Sequence, residues 1–242
     1  MDDTPISGVL RRTARIVESN SGGPIRFIIT GRRTVPTGRW HSNKTGRSQP
    51  WEARAERDHF FVCDADTDVA SYMAQPHRLE IDVGTKNPLI YLPDVTITRA
   101  DGSVEVVEIK RACEVLKKEY LEKLGLAEEV YAGLGWGFRI LTDVEIRREP
   151  RFRNARRICA HQPAVVTTQQ TLDVLAHIGE HGFGTMGDLA RLLGDGADGW
   201  ACLHALVVQR LLHVDLDTPP RRWADAAVSL VDSSRNARRS SR

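Results

Sequence analysis

The segment Leu89–Lys110, LIYLPDVTITRADGSVEVVEIK, decides the fold of the first half of the chain. Both of its ends are rich in β-branched residues, and Asp101-Gly102 between them is typical of a tight hairpin turn. The pattern predicts one strand over Leu89–Thr98 and a returning strand over Ser103–Lys110. Helical and strand-like segments alternate around this hairpin, which predicts an α/β fold.

Three ionisable side chains of the hairpin are predicted to lie close together. Asp94 and Glu108 straddle the turn almost symmetrically, so antiparallel pairing brings them close to each other. Lys110 follows Glu108 at a spacing of two and therefore projects from the same face of the strand. Another carboxylate, that of Glu56, belongs to a helix predicted over Trp51–Cys63.

This residue set is typical of metal-dependent phosphodiester hydrolysis. Adjacent carboxylates repel one another unless a divalent cation such as magnesium lies between them. A lysine beside them can orient the attacking water or stabilise charge on the phosphate. The motifs are short, however, and an ordinary solvated strand face carries the same residue types. The apolar residues Val106, Val107 and Ile109 favour the metal site, because an unpaired glutamate is costly in a strand buried on both faces.

The composition is that of an ordinary globular protein. Among 242 residues, 41% are hydrophobic and 27% are charged, and no segment approaches the ~20 apolar residues of a membrane-spanning helix. The N-terminal residues lack the apolar core of a secretion signal, so we expect a cytoplasmic protein without a membrane partner. Four scattered cysteines predict reduced thiols rather than a metal site: Cys63, Cys113, Cys159 and Cys202.

Positive charge is concentrated in short segments, although the formal net charge is only +2. Residues 147–157 contain six arginines and one acid, and the tail 235–242 contains four arginines. Such clusters suit a phosphate backbone, or they are solvated linkers and tails. Arg151 and Arg153 are the candidate DNA contacts of the first cluster. A smaller group near the N-terminus consists of Arg11, Arg12 and Arg15.

Changes in composition divide the chain into five parts. They are a basic extension, a catalytic core, an arginine-rich linker, a second domain and a basic tail: 1–50, 51–150, 151–163, 164–234 and 235–242. Within the extension, only Ile25–Ile29 is predicted to be a strand, and residues 31–50 are predicted to be extended loop. After the core hairpin, the sequence predicts a helix over residues 113–134 and a strand over Gly137–Thr142.

The second domain is predicted to be winged-helix-like. Three helical segments, Gln169–Glu180, Met186–Leu193 and Trp200–Leu211, precede two short strand-like segments. A winged helix usually suggests DNA contact through its second or third helix. Here those two helices contain only Arg191 and Arg210 as basic residues, so protein docking is the favoured interpretation over sequence reading.

Several blocks of the chain resemble TnsA, the restriction-endonuclease-like subunit of heteromeric transposases. The resemblance covers roughly residues 25–150, and the blocks occur in the family's order and spacing. They are SNKTGR (42–47), AERDHFF (55–61), DTDVASYMAQP (66–76), YLPDVTI (91–97), VVEIKRA (106–112), EKLGL (122–126) and ILTDVEI (140–146). The resemblance implies a restriction-endonuclease-like α/β core followed by a winged-helix domain.

The resemblance also implies roles for individual residues. Glu56 corresponds to the family's helix glutamate and Asp94 to its metal-binding aspartate, with Glu52 as the alternative helix acid. Glu108 stands where the TnsA motif has glutamine, and this departure matches the wider nuclease superfamily. The implied catalytic set is thus Glu56, Asp94, Glu108 and Lys110, with the three acids binding Mg²⁺ or, in its place, Mn²⁺.

The residues outside this set have less specific interpretations. Lys44 and Arg47 either contact phosphate or order their loop, and Gln75 is either structural or close to DNA. Lys117 and Lys118 are expected to form a solvated face rather than a DNA contact.

The family implies a role in excising a mobile element from double-stranded DNA. A TnsA-like subunit cuts the 5′ strands at the transposon ends, beside a DDE-family transposase subunit and an ATP-dependent regulator. Two alternatives stay open from the sequence: a stand-alone nuclease of defence or repair, and a catalytically silent DNA-binding scaffold.

Overall fold

The computed structural model describes residues 13–26, 36–114 and 117–231. Its strands are β1 Ala14–Glu18, β2 Gly38–Ser42, β3 Arg47–Trp51, β4 Val69–Ala74, β5 His77–Ile81, β6 Leu89–Tyr91, β7 Val95–Arg99, β8 Val104–Lys110, β9 Gly137–Thr142, β10 Gly184–Thr185, β11 Leu212–Val214 and β12 Ala227–Leu230. Its helices are α1 Arg54–Ala65, α2 Lys118–Gly133, α3 Asp143–Ile146, α4 Arg151–Cys159, α5 Thr168–His181, α6 Met186–Leu193 and α7 Gly196–Val208, with a 3-10 helix over Pro220–Asp225.

Some predicted features lie outside the described residues. They are Arg11, Arg12, the greater part of the predicted strand Ile25–Ile29 and the arginine tail 235–242. Among the helices that are described, none has both the length and the apolar character needed to cross a membrane.

A four-stranded sheet, β4-β7-β8-β9, forms the centre of the first half, and the predicted α/β fold is confirmed. Strands β4, β7 and β8 pair antiparallel, whereas β8 and β9 are parallel. One face of the sheet packs on Phe60 and Cys63 of α1. The other face packs, through Val106, on Leu124 and Tyr131 of α2. Helices on both faces bury the middle of the sheet, as is usual for a strand with a parallel neighbour.

The predicted hairpin forms with one correction. Val95 pairs with Val107 and Thr98 with Val104, and Gly102 adopts the positive φ of +83° that the turn requires. The first predicted strand, Leu89–Thr98, is instead two strands that belong to different sheets, since β6 pairs with β5. Pro93 lies between them and has no N–H to donate, so one continuous ladder is not available there.

Residues 31–50 were predicted to be extended loop, and this is wrong for their described part. Strands β2 and β3 form an antiparallel hairpin, and the SNKTGR block includes its turn. Gly46 in that turn has a φ of +64°. The strands contain few apolar residues, and buried polar side chains, such as Ser42 and Gln49, hold them to the core. Hydrophobic periodicity could not reveal strands of this kind.

The segment predicted as a linker, 151–163, is also different in the structure. Residues 151–159 form helix α4, which packs against α1 and α7. Phe152, Ala155 and Ile158 are buried at helical spacing between the arginines. Ala155 and Ile158 join Leu203 of α7 in one apolar core. The arginines concealed this apolar stripe in the sequence.

The C-terminal part contains the three predicted helices, α5, α6 and α7, at nearly the predicted positions. The two strand-like segments pair as β11 and β12, and β10 completes a small antiparallel sheet. Gly199 of α7 lies against the carbonyl of Ala190, where any Cβ would collide with backbone. The assignment of this part to the winged-helix class stays a prediction.

Candidate active site

Asp94 and Glu108 meet at the point where β7 begins and β8 approaches its end. Extending the register of Val95 with Val107 by one pair places Asp94 opposite Glu108. Asp94 Oδ2 accepts a hydrogen bond of 2.7 Å from the backbone N–H of Ile109. The hairpin therefore brings the two predicted acids together.

Glu108 is 2% exposed and is surrounded by donors. The Tyr91 hydroxyl donates to its Oε2 at 2.7 Å, and the Tyr120 hydroxyl donates to its Oε1 at 2.5 Å. Lys110 Nζ lies 2.7 Å from Oε1 and 4.9 Å from the centre of the Tyr120 ring. A buried carboxylate is tolerated here because a cation and two hydroxyls accompany it.

Glu56 lies in the first turn of α1, close to Glu52. Its Oε2 accepts a 2.9 Å hydrogen bond from the Glu52 backbone N–H. Burial raises the pKa of Glu56 to about 7; that N–H opposes the shift, while the carboxylates of Glu52 and Glu108 add to it. The Glu52 carboxylate forms an ion pair with Arg26. The two acids thus lie side by side at the start of α1, and the choice of Glu56 over Glu52 as the helix acid stays a prediction.

The electrostatics of Asp94 show how closely the acids are gathered. Burial raises its pKa well above the ordinary value, and repulsion by Glu108 and Glu56 raises it further, although the Ile109 N–H and Lys110 oppose the shift. Burial disfavours the charged amine of Lys110, but Glu108 outweighs burial and raises the lysine's pKa. The lysine is thus held as an ammonium ion, while crowding and burial favour the protonated form of Asp94 in the absence of a cation.

The chemistry of these side chains fits a hard divalent cation, but their present rotamers do not form a closed cage. Within the described part of the chain, no group of three His, Cys, Asp or Glu side chains is arranged to hold a metal ion. Glu108, Asp94 and Glu56 each direct an oxygen at a protein donor. Carboxylate oxygens are the ligands that Mg²⁺ prefers, and a cation between them would relieve the repulsion that raises the pKa of Asp94.

The sequence interpretation did not include the aromatic and basic wall of this site. Tyr120 and Lys123 of α2 face Glu108, and Lys123 Nζ lies 5.8 Å from the centre of the Tyr91 ring. Tyr120 precedes Lys123 by three residues and the buried Leu124 by four. This helical spacing was the signal available in the sequence. Lys118, by contrast, is exposed and forms an ion pair with Glu122, as expected of a solvated face.

The predicted DNA contacts of the N-terminal hairpin occupy different environments. Lys44 Nζ donates to the carbonyls of Cys63 and Asp66 at 2.7 and 2.6 Å, which favours the loop-ordering alternative. Arg47 is exposed and donates to the carbonyl of Gly22. It also lines a cleft of about 510 Å³ that includes Thr96 but none of the four catalytic candidates. Phosphate contact by Arg47 stays a prediction.

Gln75 is placed directly beside Asp94. Its backbone N–H donates to the Asp94 carbonyl at 2.8 Å. Its φ of 47° is left-handed, which is strained for a residue other than glycine. Its buried Oε1 has no hydrogen-bond partner among the described residues.

The two predicted arginine contacts differ in exposure. Arg151 forms ion pairs with Asp66 at 2.5 Å and Asp217 at 3.5 Å, so it ties α4 to its neighbours. Arg153 is exposed and lies 3.4 Å from Glu149. Arg153 is therefore the better placed of the two for DNA.

An α/β fold in which two carboxylates and a lysine meet on one hairpin is the arrangement expected of a metal-dependent nuclease. Residues 66–143 match the family model described as TnsA-like endonuclease N terminal. The chain thus contains a segment that is similar to the N-terminal domain of TnsA-like endonucleases. Asp94, Glu108 and Lys110 lie within the match, whereas Glu56 precedes it. Comparison with curated proteins found no match.

Proposed function

We propose that this protein is a metal-dependent DNA endonuclease that uses Glu56, Asp94, Glu108 and Lys110. The supporting observation is the geometry of the hairpin, which sets Asp94 opposite Glu108 with Lys110 Nζ 2.7 Å from Glu108. The same segment lies in the TnsA-like endonuclease match. Carboxylates that repel one another are unfavourable in a folded protein, so a hairpin with a purely structural role is not expected to bring them together.

The reaction proposed is hydrolysis of one phosphodiester bond. The oxygen of water bonds to phosphorus, one bridging P–O bond breaks, and a proton lost by the water passes to the leaving oxygen, which becomes a hydroxyl. Mg²⁺ held by the three carboxylates would polarise the phosphate and lower the pKa of a bound water. Mn²⁺ is expected to substitute for it.

The residues of the chain would contribute orientation and charge. Lys110 is kept protonated beside Glu108, and its side chain is 20% exposed, so its ammonium can stabilise charge that develops on a phosphate. The hydroxyls of Tyr91 and Tyr120 fix the Glu108 carboxylate. Asp94 is held by the backbone of the partner strand. Rigid support of this kind keeps the reacting groups aligned.

The test is nicking of supercoiled plasmid by the full chain with Mg²⁺ or Mn²⁺. Lys110→Ala is expected to reduce nicking by at least roughly a hundredfold while metal binding persists, because its amine acts on the phosphate. Lys118→Ala is the matched control, since Lys118 is exposed on the adjacent helix. Equal nicking by Lys110→Ala and Lys118→Ala, under conditions in which the wild type nicks above the metal-free background, would exclude the site.

We further propose that this nuclease cuts the 5′ strands at transposon ends as one subunit of a heteromeric transposase. The support is the similarity of residues 66–143 to TnsA-like endonucleases, together with the resemblance of the sequence blocks to the TnsA subunit of heteromeric transposases. The partners would be a DDE-family transposase subunit and an ATP-dependent regulator. Nicking of an end-containing duplex, measured with and without these subunits, tests the role. Cutting at the ends that needs the partners supports it, whereas efficient, partner-independent cutting favours a stand-alone nuclease.

A further inference from the structure

A pocket of unusual composition lies on the C-terminal part of the molecule, away from the carboxylates. We call it the arginine–aromatic pocket. Its volume is about 390 Å³, and its walls are Arg157, His161, Ala197, Trp200, His204 and Trp223. Four aromatic rings thus face a space that is large enough for one planar group.

A basic surface continues from the pocket. Arg157 also lines a neighbouring cavity of about 420 Å³, together with Arg153 and Arg156. The guanidinium of Arg157 lies 5.8 Å from the centre of the Trp223 ring, and that of Arg156 lies 5.8 Å from the Phe152 ring. Of these arginines, Arg153 faces an acid, Glu149, at 3.4 Å. The 3-10 helix that carries Trp223 adds two exposed arginines, Arg221 and Arg222.

Two polar atoms in the pocket walls have no hydrogen-bond partner among the described residues. They are Nε2 of His204, a residue 1% exposed, and Nε1 of Trp223, a residue 3% exposed. The other ring nitrogen of His204 shares a 2.8 Å hydrogen bond with Nδ1 of His161. Buried polar atoms are normally satisfied, so the walls of this pocket contain two hydrogen-bonding groups whose needs the described residues do not meet.

We propose that the arginine–aromatic pocket binds an unstacked nucleobase of single-stranded DNA, whose flanking phosphates lie on Arg153, Arg156 and Arg157. Bases stack on tryptophan and histidine rings irrespective of sequence, and Trp200 and His161 are the partly exposed rings of this pocket. Arginines that follow the backbone supply the electrostatic part. The inference goes beyond the hydrolysis proposed above and rests on it only in taking DNA as the polymer.

Charge decides between this ligand and the side chain of a partner protein. An aromatic side chain of a partner protein would also fill the space between the rings, but it has no row of negative charges to pair with the arginines. The exposed arginines on both α4 and the 3-10 helix match a polyanion better. For strand cutting, such a pocket would hold a strand that has separated from its complement.

The experiment measures binding of fluorescein-labelled oligonucleotides to the full chain by anisotropy, in EDTA so that no cleavage occurs. The probes are an oligothymidylate of on the order of 15 nucleotides and an abasic strand with the same number of phosphates. We expect the wild type to bind the oligothymidylate about tenfold more tightly than the abasic strand. Trp200→Ala should remove this preference, whereas Trp200→Phe, which retains a ring, should preserve most of it.

The arginines are tested with the same probes. Arg156→Ala should weaken both strands to a similar extent and reduce the salt dependence of binding by about one phosphate contact. Arg191→Ala is the matched control, because Arg191 is exposed on α6 and does not line the pocket. It should leave both affinities unchanged.

Equal binding of the two strands by the wild type would overturn the proposal and would favour a side chain of a partner protein as the occupant of the pocket. This comparison needs no variant, so it decides the matter even if Trp200→Ala does not fold. A folded Trp200→Ala that keeps the base preference would also overturn it. Since the assay contains EDTA, failure of the proposed nuclease reaction does not alter these outcomes.

Discussion

Two acidic clusters are buried in the first half of the molecule, and their carboxylates differ in the groups that surround them. Asp64 accepts hydrogen bonds from Trp40 Nε1 at 2.7 Å, the Ser42 hydroxyl at 2.5 Å and the Tyr72 hydroxyl at 3.1 Å. We call this group the structural cluster. Asp94, in the candidate active site, accepts from one backbone N–H and is repelled by two carboxylates. The acid of the structural cluster is satisfied by hydrogen-bond donors of the protein. The acids of the candidate active site repel one another, and a cation would stabilise them.

A lysine accompanies each cluster, Lys44 beside Asp64 and Lys110 beside Glu108, and the pKa values of these two lysines shift in opposite directions. Burial lowers the pKa of Lys44 to about 8, although Asp64 and Asp66 oppose the shift. In Lys110, burial is outweighed by Glu108, and the pKa rises. Burial of an acid therefore does not by itself identify a functional site. The hydrogen-bond donors distinguish the two: three neutral donors satisfy Asp64, whereas Asp94 accepts from one backbone N–H and is repelled by Glu108 and Glu56.

The largest expected difference between the clusters is in catalysis. Asp94→Asn is expected to reduce plasmid nicking by about a thousandfold, because it removes a metal ligand from the proposed site. Asp64→Asn should retain nicking within about tenfold at a temperature where it is folded. Comparable losses in the two folded variants would erase the distinction between the clusters.

For stability, in contrast to catalysis, the substitution of Asp64 is expected to have a larger effect than the substitution of Asp94. Asp64→Ala should lower the free energy of unfolding by about 3–5 kcal/mol, because it leaves two buried donors and one partly buried donor without an acceptor. Asp94→Asn should leave that energy unchanged within about 1 kcal/mol, since the raised pKa favours a neutral Asp94 and the amide oxygen can still accept from the Ile109 N–H. Urea titrations of both variants measure these values. A strongly destabilised Asp94→Asn would place Asp94 among the structural acids.

The pH dependence of stability tests the lysine of the structural cluster. The folded pKa of Lys44, about 8, is below its ordinary value of 10.5, so between these values the unfolded chain binds more protons. Stability from this residue therefore rises with pH across that interval. Relative to Lys44→Met, the wild type should gain about 2–3 kcal/mol between about pH 7 and about pH 10. A difference independent of pH would refute the lowered pKa.

The smallest expected effect is the response to metal without DNA. A divalent cation at about ten times its Kd should raise the Tm of the wild type by roughly 3–6 °C, because it binds only the folded carboxylates. The shift should vanish in Asp94→Asn and persist in Asp64→Asn. Thermal melts with Mn²⁺ measure it, and Ca²⁺ in a parallel melt separates binding from turnover. An equal shift in both variants would locate the cation elsewhere.

Local patterns were sufficient where structure depends on neighbours in sequence. The turn at Asp101-Gly102, strand β9 and helix α6 were predicted at or near their observed positions. Turn chemistry and hydrophobic periodicity act over a few residues, so one sequence contains their signal. The approach of Asp94 to Glu108 follows from the same local rule.

Prediction failed where distant contacts outweigh local pattern. The hairpin of β2 and β3 is held by buried polar contacts such as that between Ser42 and Asp64. Helix α4 was read as a linker because its arginines outnumber the apolar residues that it buries against α1 and α7. Neither the distant partner nor the buried face is visible in the segment itself.

The sequence by itself determined the hairpin, its acids and Lys110, because strand alternation and a tight turn fix which side chains share a face. Only the tertiary structure decided which further groups reach that face. Glu56 arrives from α1 and Tyr120 from α2, through packing on opposite faces of the sheet. Such approaches depend on contacts between residues far apart in the chain, which no short pattern encodes.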